Sequence, residues 1–299
     1  MRKMRKTTTG GIAFQAINYT LFALFTLTCI YPFYYLFINT ISSNDLSAAG
    51  YITFYPREVH FDNYMNVLKI DGLAEAAYVS IYRTVVGTLL TVGASAFLGY
   101  LFTKNEMWLR KLIYRMLIVT MYFSAGLIPW YITMNNLGLT NNYLAYVLPT
   151  IITPFNIILV KTFIEALPPS LEESAAIDGA GYLKIFGSII VPLITPILAT
   201  ITIFSAVTQW NSFIDTAFLM TDTKYYTLQF LLWRYLNEST SLAALIRNSQ
   251  DMAASVQHMQ TPGSVRMTVT MIVVFPILII YPFFQRFFVK GILIGAVKG

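Results

Sequence analysis

Long uncharged apolar runs, separated by shorter polar segments, divide the chain. Residues 7–44, 84–103, 116–160, 185–214 and 267–285 contain no Asp, Glu, Lys or Arg. A bilayer-crossing helix needs about 20 mostly apolar residues, so each run holds at least one span. The run 116–160 is too long for one. It holds two, joined at "NNLGLTNN", residues 135–142, where Asn and Gly favour a turn. The spans predicted are about 16–41, 76–103, 112–133, 143–166, 188–212 and 265–288. Buried strands would stop after about 4–8 residues. A membrane barrel would show short alternating segments, which these runs lack. Helices satisfy their own backbone groups in lipid. The pattern therefore predicts an all-α membrane protein, with six spans in one transmembrane domain over residues 1–299.

Composition strengthens this reading. Charged residues make up 11% of the chain and hydrophobic residues 56%, against about 25% charged in an ordinary soluble domain. The net charge is +6, yet the basic residues are scattered rather than clustered as a nucleic-acid surface requires, and topology explains them better. With the N-terminus inside, most of the 20 Lys and Arg fall on inner segments. Among them are Arg2, Lys3, Lys104, Arg110, Lys111, Arg115, Lys161, Lys184 and Arg286. Both termini are thus expected in the cytoplasm. The basic start MRKMRK precedes an apolar region that is long for a signal peptide and lacks a small-residue cleavage site, so it reads as a retained first span. Cys29 is the single cysteine and there are two histidines, so neither an intrachain disulfide nor a metal site is expected. The long segments at about 42–75 and 213–264 fall outside.

One polar stretch stands on the inner side, between spans 4 and 5. The sequence "LPPSLEESAAIDGAG" reads as a short helix. Ser170 suits the N-cap and Glu173 its third position, which makes a capping box. Acidic residues in the first turn also suit the helix dipole, and Gly179 and Gly181 end the helix. A second helical run from Tyr182 leads into span 5. On spacing alone, Glu173 either caps its own helix or serves a partner.

From Glu173 the order is Glu-Ser-Ala, Gly179 after three more residues, then Ile189, Val191 and Pro192 after nine more. This resembles the EAA loop of bacterial ABC-importer permeases, with Ser174 in place of the second-position Ala and Val191 in place of Leu. "TKYYTLQFLL" at 223–232 and "YPFFQRFFVKGILIGAVKG" at 281–299 are similar to an outer-loop segment and a C-terminal signature of the carbohydrate, maltose-permease-like branch. The oligosaccharide permeases of Gram-positive type look most alike. The resemblance implies the type I ABC-importer permease fold in a bacterial cell membrane. It implies a transport subunit that encloses half of a sugar pathway. The inner loop, 168–187, would be a coupling helix docking on a cytoplasmic ATPase. Carried over, Glu173 is the docking carboxylate, Ala175 the small contact residue, Gly179 the bend and Pro192 the exit into span 5. Glu172, Ala176, Asp178 and Ile189 belong to the same loop. The partners implied are a homologous second permease, two ATPase subunits, an extracellular solute-binding lipoprotein, the lipid bilayer and a sugar substrate. The relatives it resembles most serve plant-derived or uronate-containing glycans.

No G-x-x-x-x-G-K-[ST] is present, so ATP and Mg are expected on the partner ATPase and no catalytic residue in this chain. Polar and aromatic residues within spans are candidates for the substrate path, because they are costly in lipid. These are Tyr122, Ser124, Asn156, Gln209, Trp210 and Asn211. Interhelical hydrogen bonding explains each of them equally simply. Arg83 and Arg266 lie near outer span ends, where snorkelling is the default. Pro149, Pro154, Pro192 and Pro196 are placed to kink spans 4 and 5. The segment "FLLWRYL" at 230–236 either meets the solute-binding protein or lies on the membrane surface. The alternative to an ATP-driven importer is an ion-gradient-driven secondary transporter. It would need charged relays within the spans, which the uncharged runs do not offer. A membrane-embedded enzyme would need paired carboxylates, a His cluster or a Ser/Lys pair at membrane depth, and none is seen.

Overall fold

The computed structural model describes residues 9–247 and 262–296. Among them there is no strand. In chain order the helices are α1 Thr9–Thr40, α2 Asn44–Ala48, α3 Asp62–Leu68, α4 Leu73–Leu101, α5 Arg110–Tyr122, α6 Leu127–Asn136 and α7 Pro154–Glu165. There follow α8 Ser170–Ile177, α9 Tyr182–Ile185, α10 Val191–Leu193, α11 Thr195–Asn211, α12 Ile214–Leu219, α13 Leu228–Arg247 and α14 Pro262–Ala296. Three helical stretches are long and apolar enough to cross a membrane: Gly10–Thr40, Leu73–Leu101 and Gly263–Ile280. Two bent pairs also qualify if each counts as one span, namely Tyr143–Thr150 with Pro154–Glu165 and Tyr182–Leu193 with Thr195–Asn211.

The expected span at 112–133 falls on two helices, α5 and α6. Phe123 between them is extended (φ −106°, ψ 124°) and Gly126 has φ 85°. Pro129 supplies a reason. Its ring and missing N–H oppose a helix that runs through from four residues upstream, whereas the first turn of α6 tolerates it. Proline also marks the other breaks. Pro149 and Pro154 flank the 43° bend of the fourth segment, and Pro192 and Pro196 flank the 80° bend of the fifth. The kinks expected in spans 4 and 5 are therefore present. The basic N-terminal residues, the segment 248–261 and residues 297–299 of the C-terminal signature lie outside the described residues.

The chain forms two compact units. The first contains residues up to Lys69 together with Leu236–Ile272. Here α1 ends in a polar knot. Asn39 Nδ2 donates to the carbonyls of Tyr35 (2.8 Å) and Ile52 (3.2 Å), and its Oδ1 accepts from Ser47 (2.6 Å). Asn63 Nδ2 donates to Thr40 O and to Asn44 Oδ1, both at 3.0 Å. Asn39, Thr40, Ser42 and Asn63 are buried, and the hydrogen bonds offset that burial.

The second unit contains Ile70–Tyr235 and Val273–Gly299. Its axis is α4, which packs against α7 and α11. At Gly99 a Cβ would lie 2.7 Å from Val160 Cγ1, so the absence of a side chain lets α4 approach α7. Two apolar clusters sit at opposite ends of α4. Val79 joins Leu139, Tyr146, Val147 and Leu219 at one end. Tyr100 joins Val160, Ile164, Ile185 and Ile190 at the other. The turn at 135–142 meets the segment after α12 at the first end, where Asn141 bonds Thr221 through both its amide atoms at 2.8 Å.

Candidate functional site

The loop 168–187 is built by its prolines and one glycine. Pro169 already has helical angles (φ −60°, ψ −29°), and its carbonyl accepts from the N–H groups of Glu172 and Glu173 at 3.1 Å. The capping box expected at Ser170 and Glu173 does not form. The two prolines start the turn earlier, so Ser170 lies inside it and no side chain caps the helix. The far end follows expectation at Gly179, with φ +80°. Gly179 N–H donates to Ala176 O (3.0 Å) and Ala180 N–H to Ala175 O (2.9 Å). This is the paired closure of a Schellman motif, which needs a left-handed residue at that place. Gly181, expected to end the same helix, is extended (φ −73°, ψ 164°) and starts α9 instead.

α8 has two faces. Glu172 pairs with Lys104, which stands just past the end of α4. The Lys104 ammonium also lies 4.2 Å from the centre of the Tyr100 ring. Ala175 packs on the cluster around Tyr100 and Ile185. It thus serves the fit of α8 to its own chain. Away from these contacts Glu173, Ser174, Ala176, Ile177, Asp178 and Gly179 are exposed, Ile177 at 86%. Among the described residues, Glu173 makes no side-chain hydrogen bond or ion pair. Glu172 is thus used within the chain, and Glu173 is available outside it. After α9 the backbone widens into a π-helical turn at Phe186–Ile190. Phe186 packs against Phe97 and Tyr100 of α4 at 5.6 and 5.2 Å between ring centres. Ile189 is half-buried, Ile190 fully buried and Pro192 exposed at the start of the 80° bend.

A second site lies along the middle of α4, where Thr91 is roughly 20 Å from Lys104 by helical rise. A cleft of about 420 Å³ is lined by Thr91, Thr150, Thr153, Phe155, Asn156, Phe204, Ser205 and Gln209, among others. Asn156 Nδ2 donates to Ser205 Oγ (3.2 Å), and Gln209 Nε2 to Thr150 Oγ1 (2.7 Å). Of the six path candidates, these two are brought together. Trp210 faces elsewhere: its Nε1 donates to Val273 O (3.0 Å) beside a small apolar pocket with Pro276 and Ile280. Asn211, Tyr122 and Ser124 are exposed and do not line the cleft, Tyr122 and Ser124 lying at the break between α5 and α6.

Arg83 stands behind Gln209 and does not snorkel. It is 1% exposed and forms a bidentate pair with Asp215, at 2.6 and 3.1 Å. Its Nε and Nη2 donate to Gln209 Oε1 at 3.3 and 3.1 Å, and Nη1 also reaches Ser212 O at 3.2 Å. Tyr146 lies under the guanidinium at 4.5 Å. Gly87 makes room for this arrangement: a Cβ there would sit 2.5 Å from Gln209 Nε2. Sequence reading missed Lys104, Thr150 and Asp215 as site residues. One signal was available for the ion pair. Arg83 and Asp215 are the charges that bound two of the uncharged runs, 84–103 and 185–214. Among the described residues, no group of three or more His, Cys, Asp or Glu is placed to hold a metal ion.

Residues 91–294 match the family model for the binding-protein-dependent transport system inner membrane component. The chain is 32% identical over 287 residues to the polygalacturonan/rhamnogalacturonan transport system permease protein YtcP of Bacillus subtilis, covering 96% of this chain and 98% of that one. It is 33% identical to Protein LplC of the same organism, covering 98% and 97%. The arabinooligosaccharides transport system permease protein AraQ of Bacillus subtilis is 25% identical, over 93% and 94%. Among solved structures, a chain of a bacterial ABC transporter involved in the import of the acidic polysaccharide alginate superposes with a TM-score of 0.83 and 26% identity, over 95% of this chain and all of that one. The chain belongs to the family of binding-protein-dependent transport system inner membrane components.

Proposed function

We propose that this chain is the transmembrane subunit of an ATP-driven importer that takes its sugar from an external binding protein. The sugar is an oligosaccharide of plant-glycan or uronate-containing type, as the names of the relatives suggest. The chain crosses the cytoplasmic membrane six times with both termini inside. It pairs with a homologous permease, two ATPase subunits that bind ATP and Mg, and a solute-binding lipoprotein that meets the outer segments. This chain carries out no chemistry itself. Its part is to pass closure of the ATPase pair to the spans through α8.

One observation carries this reading: α8 is fastened to its own chain on one face and bare on the other. Lys104–Glu172 and the Ala175 contact hold it to α4, α9 and the π-helical turn. Its exposed face offers Glu173 beside Ala176 and Ile177. A carboxylate beside an exposed apolar residue suits a docking surface with a hydrophobic centre and a charged partner. The 80° bend at Pro192 then lies between that surface and α11, which lines the cleft with Gln209. The Asn156–Gln209 cleft is this chain's share of the sugar path.

The test is uptake by the reconstituted complex of permeases, ATPase and binding lipoprotein. ATP-dependent entry of labelled oligogalacturonides or arabino-oligosaccharides is expected, and Glu173→Ala is expected to abolish it. The buried Arg83–Asp215 pair is the feature that favours the alternative of an ion-gradient transporter. Uptake driven by a proton or sodium gradient, with no need for the ATPase, would establish that alternative instead.

A further inference from the structure

Arg83 beside a sugar path suggests a group that recognises an acidic sugar. Its geometry says the opposite. An arginine has five N–H donors, and the five hydrogen bonds to Gln209, Ser212 and Asp215 use them all. The flat face is covered by Tyr146. Asp215 in turn accepts from Arg83, from Ser212 Oγ (3.3 Å) and from Thr216 N–H (2.9 Å). Arg83 has no donor left for a ligand, and the charge of Asp215 offsets its own. What reaches the cleft is an amide. Gln209 Oε1 accepts twice from Arg83, which fixes the orientation of that amide with Nε2 away from the guanidinium. One Nε2 hydrogen goes to Thr150 and the second has no protein partner among the described residues. Asn156 Nδ2 gives one hydrogen to Ser205, and its second hydrogen and its Oδ1 have no protein partner there either. The cleft thus presents two amide N–H donors, one amide acceptor, hydroxyls and the rings of Phe155 and Phe204, 6.5 Å apart.

We propose that Arg83 is a specificity-determining residue acting through Gln209: held by Asp215, it turns the Gln209 donor towards the cleft while keeping the cleft uncharged, so that this wall reads the hydroxyl groups of a sugar and not its carboxylates. The proposal rests on the reading of the cleft as part of the path. It places selection for acidic sugars outside this wall. A carboxylate held by a free arginine on the path would leave slowly, whereas neutral hydrogen bonds let a charged sugar pass.

The test reads the charge of the cleft without needing the substrate. In the purified complex, Cys29→Ser removes the native thiol and Thr208→Cys places a single thiol on the cleft wall. Anionic methanethiosulfonate ethylsulfonate and its cationic trimethylammonium counterpart are reacted in parallel, followed by the mass of this chain. The ratio of the two rates is compared with that of 2-mercaptoethanol in solution. With Arg83 and Asp215 intact, the two ratios agree within about three-fold. Asp215→Asn shifts the ratio towards the anionic reagent by about ten-fold or more, since one uncompensated charge acts with opposite sign on the two reagents. Arg83→Gln shifts it the other way, and carries the test if Asp215→Asn does not assemble. The pair Arg83→Gln with Asp215→Asn returns it to the starting value. A starting ratio that already favours the anion ten-fold, or one unmoved by either single change, overturns the proposal. If neither reagent reacts with the introduced thiol, the cleft is closed to solutes and the path reading fails first.

Discussion

At the residue scale two carboxylates of α8, one position apart, stand in different surroundings. Glu172 is tied to Lys104 and Glu173 is bare. Because no capping bond is made by Glu173, Glu173→Ala is expected to change the thermal stability of the purified permease by at most about 0.5 kcal/mol, as for an ordinary surface site. The same change should remove the ATPase from the purified complex. Glu173→Gln should lose it too, since the docking proposed relies on the charge and not on a cap. Retention of the ATPase by the Gln variant would show that the charge is not used. Arg83 gives the converse case. Removing Asp215 leaves a buried charge uncompensated, which costs about 3–5 kcal/mol. Asp215→Ala is therefore expected to lower the melting temperature sharply, and the neutral pair Arg83→Gln with Asp215→Asn to recover most of it. The sequence placed Arg83 near a span end, and from that position alone snorkelling was the natural reading. Its partner lies 132 residues away, a distance in sequence that no local pattern spans. The capping box failed for a local reason: Pro168 and Pro169 started the turn before Ser170 could cap it.

At the scale of elements the apolar runs were legible and their breaks only partly so. The prolines flagged the bends at 43° and 80°. The break at 123–126 was not flagged, because Gly126 and Pro129 sit in an apolar run that reads as one span. The contact that fixes α4 against α7 was also hidden, since a glycine in a run gives no sign of what faces it. Two glycines of α4 make a matched test. Gly99 meets Val160 side-chain atoms and the Lys161 backbone N at 3.2 Å, while Gly93 has nothing within 4 Å. Gly99→Ala is expected to cost about 1–3 kcal/mol by overpacking. Gly93→Ala should be neutral or stabilising by up to about 1 kcal/mol through helix propensity. Thermal unfolding of the two variants in one detergent compares them directly. Equal effects would mean that α4 and α7 do not approach as closely as the structure has them.

For the whole molecule, class and family were readable from long runs and one spaced motif, because lipid imposes long apolar helices and residues 173–192 carry Glu, Gly and Pro at a recognisable spacing. The cleft was half readable: Asn156 and Gln209 stood out as polar residues in apolar runs, but Trp210 and Asn211 stood out equally and point elsewhere. Only packing separates them. The central claim is that the exposed face of α8 meets a cytoplasmic ATPase. Ile177, at 86% exposure, is the place to ask. A photo-crosslinking residue there, in the complete complex within native membranes, is predicted to join this chain to the ATPase subunit in high yield. It should do so on the cytoplasmic side, and the same probe at Tyr122 should not. Crosslinks from Ile177 to the solute-binding lipoprotein, or to lipid alone while the ATPase remains bound, would contradict the account.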